Sequence, residues 1–85
     1  MDEFLEECKK LIQLKYSVFK SDLKLIDSSN PGDKVMVASF CDSNNNLYKI
    51  TEAGENTRFI IKYKLAEFYV YNKELDKFFD MKYSF

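Results

Sequence analysis

Asp42-Ser43-Asn44-Asn45-Asn46 sets carboxylate and amide oxygens at alternating positions, the opening pattern of a calcium loop. The rest of that pattern is missing. Leu47 stands where the sharp-turn glycine belongs, Ala53 stands at the bidentate glutamate position, and Glu52 falls one residue short. The segment reads as a polar turn between two strands, with no metal expected. Cys8 and Cys41 are the only thiols. The chain has no histidine, so a thiolate would need a lysine or a helix N-terminus to activate it. Cys8 falls on an apolar helical stripe, where burial raises a thiol pKa. Both cysteines read as small apolar residues of a reducing compartment, with a Cys8–Cys41 bridge as the lesser alternative. Glu6 and Glu7 are helix neighbours that project about 100° apart and cannot converge on one substrate atom. Asp76 and Asp80 stand among lysines on a polar face. No constellation of acid, base and nucleophile emerges, no cofactor is implied, and catalysis is not expected.

Two constellations could instead bind. Arg58, Lys62 and Lys64, with Lys49 from a neighbouring strand, form a basic row, and cations beside rings are how a single-stranded nucleic-acid surface is built. Against this, Tyr63 alternates away from the row, Ile60 interrupts it, and the net charge is −1. The stronger candidate is aromatic. Eight phenylalanines and six tyrosines in 85 residues are a large ring area for one small core. A subset (Tyr69, Tyr71, Phe78, Tyr83 and Phe85) is expected to form an exposed patch for a protein partner, since such rings give rigid contact area at low entropic cost.

The elements that carry these residues follow from periodicity. Phe4, Leu5, Cys8, Leu11, Ile12, Tyr16 and Phe19 recur at helical spacing, which predicts an amphipathic helix to about residue 18. A strand is expected from about 22 to 27. Ser28-Ser29-Asn30-Pro31-Gly32-Asp33 reads as a turn, with Gly32 accepting positive φ. Lys34 to Cys41 reads as a strand apolar on both faces, and Leu47 to Glu52 as a short strand. Residues 57–65 alternate, which predicts Phe59, Ile61, Tyr63 and Leu65 on the inward side. The last twenty residues fit either two strands around a turn at Asn72–Asp76 or a C-terminal helix.

The expectation is one domain over 1–85 in the α+β class: an N-terminal amphipathic helix packed on a four- or five-stranded antiparallel sheet. No stretch is long and apolar enough to span a membrane, and the acidic N-terminus does not read as a secretory signal, so a cytoplasmic protein is expected. Twelve lysines against the single Arg58, with abundant Phe, Tyr, Ile and Asn, suggest an A/T-rich genome such as that of a low-GC bacterium or its phage. The function expected is a small binding protein (an inhibitor, immunity protein or adaptor) acting on one larger protein. A nucleic-acid module is the alternative, and a homodimer is compatible with either.

Overall fold

The structure is a computed structural model that describes residues 2–32, 35–53, 57–62 and 67–80, without side chains for Asp2, Pro31, residues 53–68 and Asp80. The class is α+β. Helix α1 (Asp2–Tyr16) precedes strands β1 (Lys24–Gly32), β2 (Val35–Cys41), β3 (Leu47–Ala53), β4 (Thr57–Lys62), β5 (Glu67–Asn72) and β6 (Lys77–Asp80). All six pair antiparallel in chain order in a single sheet, so the sheet is wider than the four or five strands expected. The two-strand reading of the C-terminal region holds over residues 67–80. Its continuation to Tyr83 and Phe85 lies outside the described residues.

The helical stripe buries as its spacing requires. Phe4, Cys8, Leu11 and Ile12 join Leu23, Ala38, Phe40, Tyr48 and Ile50 in one core, with Leu5 and Tyr16 packed at its margin. The helix stops earlier than expected. Ser17 turns left-handed at φ 58° and its N–H donates to the Gln13 carbonyl at 2.9 Å, a cap that ends the helical ladder. Phe19 therefore leaves the stripe and is 73% exposed. A single 3-10 turn, Lys20–Asp22, follows, and Leu23 re-enters the core.

The sequence from Ser28 to Gly32 is strand rather than turn. An edge strand needs ladder bonds on one side only, which is why it can hold Pro31. The register of β1 against β2 shifts between Leu25 and Asp27 and again between Ser29 and Gly32, and these irregularities absorb the turn-type residues. Gly32 does not take the left-handed backbone expected of it, and a Cβ there would meet nothing within 4 Å.

Register also corrects the facing of β4. Ile60 lies opposite Ile50 and Lys62 opposite Tyr48, both partners being core residues. Cross-strand partners share a face, so the even positions of β4, not Phe59 and Ile61, are in register with the helix side. Tyr63 and Leu65 lie outside the described residues. On β2 the helix side is Met36, Ala38 and Phe40, while Val35, Val37 and Cys41 alternate to the other face and are half-buried.

Candidate functional site

The residues singled out for partner binding fall on β5 and β6, beneath the C-terminal end of α1. Tyr69 and Tyr71 alternate onto the helix side of β5, and Tyr71 pairs across the ladder with Phe78. Their rings lie 5.0 Å apart, tilted by 50°. Tyr16, on the last turn of α1, sets its ring 6.1 Å from Tyr69 in an edge-on arrangement and 5.3 Å from Tyr48. These distances and angles are the offset geometries that ring quadrupoles favour. The Lys15 ammonium caps the group, 3.8 Å from the centroid of Tyr69 and 5.4 Å from that of Phe78. One cation thus joins the helix end to both C-terminal strands, a contact of about 0.5–1 kcal/mol where partly exposed.

Tyr69, Tyr71 and Phe78 are therefore half-buried against α1 and not a free-standing patch. Tyr83 and Phe85 lie outside the described residues. The sequence singled out these rings as an aromatic subset near the C-terminus. It carried no signal that Lys15 and Tyr16 meet them across more than fifty residues of chain.

Beside this cluster the structure opens a cleft of about 420 Å³ between α1 and the β5–β6 turn. Leu11, Leu14 and Tyr71 give it an apolar wall, and Glu7, Lys10, Lys73 and Asp76 ring it with charge. Lys73 Nζ stands 3.7 Å from Glu7 Oε2 across the cleft, both groups nearly half exposed. Such a pair contributes at most about 1 kcal/mol, so the cleft is not locked shut. The Tyr71 hydroxyl donates to Asp76 Oδ1 at 2.5 Å and fixes one side. Asp76 itself turns left-handed at φ 53°, and Asn72 Oδ1 accepts from the Leu75 N–H at 3.0 Å. That turn projects Leu75, 60% exposed, while Leu14 on the helix is 61% exposed.

The basic row does not assemble as one strip. Lys49 is in register with Ile61, whereas Arg58 and Lys62 are in register with Glu52 and Tyr48, on the alternating rows. Lys64 lies outside the described residues.

The calcium-like segment is organised as a turn. Asp42 is 7% exposed and both its carboxylate oxygens take protein donors. Oδ1 accepts the backbone N–H groups of Asn44 at 2.9 Å and Asn46 at 3.0 Å, and Oδ2 accepts the Asn46 side-chain amide at 3.0 Å and the Tyr48 hydroxyl at 2.8 Å. Burial raises the pKa of this carboxyl, but the bonds from Asn46, Tyr48 and Asn44 outweigh it and lower the value to about 2. Among the described residues no group of three acidic or thiol side chains converges as a metal site. The two cysteines are not bridged: Cys8 is in the core and Cys41 is half-buried on β2. Among the described residues no helix is long and apolar enough to cross a membrane.

The chain matches no family model, no curated protein and no solved structure.

Proposed function

We propose that this protein is a non-catalytic binding module that docks on one larger protein, in the manner of an inhibitor, immunity protein or adaptor. The docking site is the cleft between α1 and the β5–β6 turn. The observation that carries this reading is Leu14. It is a large apolar side chain, mostly exposed, on the wall of an open cleft whose opposite wall is Tyr71. An apolar centre inside a charged rim is the anatomy of protein interfaces, and Tyr is among the residues that dominate their energetics. The rings behind it are already ordered by Lys15 and Tyr16, so binding costs little further side-chain entropy. A cytoplasmic setting and a bacterial or phage source accord with the composition and form part of the same proposal.

The test is capture by the tagged protein from a lysate of its source organism, with the Leu14→Glu variant beside the wild type. A stoichiometric partner, lost with Leu14→Glu while far-UV circular dichroism stays unchanged, is the expected result. Capture of nothing, or capture indifferent to Leu14→Glu and to Tyr71→Ala, overturns the reading.

A further inference from the structure

The helix occupies one face of the sheet. The other face carries an uncharged row that crosses all six strands, apolar at four of its six positions: Ser29, Val37, Thr51, Phe59, Val70 and Phe79 are successive ladder partners. No residue in that row is charged. Val37, Thr51 and Val70 are half-buried, and Phe79 is 44% exposed. Among the described residues no element is layered over this face, because the only helix packs with Ala38, Phe40, Tyr48 and Ile50 on the other side.

We infer that this face is covered by a second copy of the same chain, forming a two-fold dimer with the sheets packed face to face. Area supports this occupant. Six strands at about 4.8 Å spacing and three to four residue rows give a footprint of roughly 600 Å² per copy, or about 1,200 Å² in all, which clears the roughly 1,000 Å² that a specific interface needs. The molecule is only 30 × 29 × 23 Å, so the face spans nearly its full width and fits an identical face without overhang. Charge is compatible with identical partners. Lys49 is the one charged residue at the outward register positions of the inner strands, and its long stem can carry its ammonium to the rim. Lys24, Asp27 and Lys77 belong to the edge strands, at the margin. Pairing through edges is the poorer route. β1 presents Pro31 and two register shifts, and β6 has four residues among those described. An isologous sheet-on-sheet contact, strands within about 30° of alignment, uses this uncharged row from both sides at once.

The surface is separate from the cleft at Leu14, so the two readings stand or fall apart. The experiment is light scattering coupled to size exclusion across a concentration series of wild type, Val37→Lys, Phe79→Lys and, as a control on the other surface, Leu14→Glu. The expected result is twice the 10.1 kDa chain mass at high concentration for wild type and Leu14→Glu, with dissociation shifted at least about tenfold by either lysine. Phe79 is on an edge strand and well exposed, so its variant folds even if Val37→Lys does not. A wild-type monomer at every concentration overturns the inference. So does a dimer indifferent to Phe79→Lys, or a monomer that uses this face to hold a different protein.

Discussion

The hydroxyl of Tyr48 donates a 2.8 Å hydrogen bond to Asp42 Oδ2, joining a fully buried ring of the core to the carboxylate that organises the β2–β3 turn. Tyr48 is fully buried, so its hydroxyl has no access to water as a substitute partner. Asp42→Ala removes this acceptor and the acceptor of the N–H groups of Asn44 and Asn46. The expected loss is about 2–4 kcal/mol of unfolding free energy, against about 1–2 kcal/mol for Tyr48→Phe. Urea titrations of both variants and of the double variant would show coupling above about 0.5 kcal/mol. Additive losses would mean that the pair does not act as a unit.

The same carboxylate makes stability depend on pH. Its folded pKa is lowered from 3.8 to about 2, so the unfolded chain takes up the proton more readily. Its contribution is fully present above pH 3.8 and disappears as the pH falls through about 2. Unfolding free energy measured between pH 5 and 2 falls less steeply in Asp42→Asn than in wild type. Parallel curves would remove Asp42 from the account.

Gly32 offers a gain. Its backbone is not left-handed and a Cβ would enter open space, so Gly32→Ala restricts only the unfolded chain. A stabilisation of about 0.4–1 kcal/mol is expected, read as a rise in Tm.

Ser17 offers another. It holds a left-handed conformation at the end of α1 with a Cβ that resists it. Ser17→Gly is expected to stabilise by about 0.5–1 kcal/mol, measured by thermal or urea unfolding. A destabilised variant would show that the cap tolerates serine without strain.

Much of this architecture is written in local pattern. The stripe from Phe4 to Tyr16 specifies both a helix and its buried side, because apolar residues recur there at three- and four-residue spacing over about four turns. Its end is less legible. Phe19 keeps the apolar spacing although Ser17 has already broken the ladder, and periodicity does not register a cap. The run from Ser28 to Gly32 has turn chemistry but sits on an edge, where β-bulges accommodate it. On β4, Phe59, Ile60 and Ile61 are apolar in succession, so alternation alone cannot say which parity faces the helix. The pairing of Ile60 with Ile50 decides that. The cleft was invisible for a related reason. Leu14, Tyr71 and Lys73 become neighbours only when the first and last elements meet, a relation that no window of sequence contains.

Strand order along the sheet repeats strand order along the chain. Every ladder can therefore zip from the hairpin before it, with short loop closures that cost little entropy. The helix is the exception, since the Glu7–Lys73 and Tyr16–Tyr69 contacts span most of the polypeptide. Acquisition of structure should thus be quick for a protein so rich in sheet, and the docking of the N-terminal segment is the step that must close most of the chain.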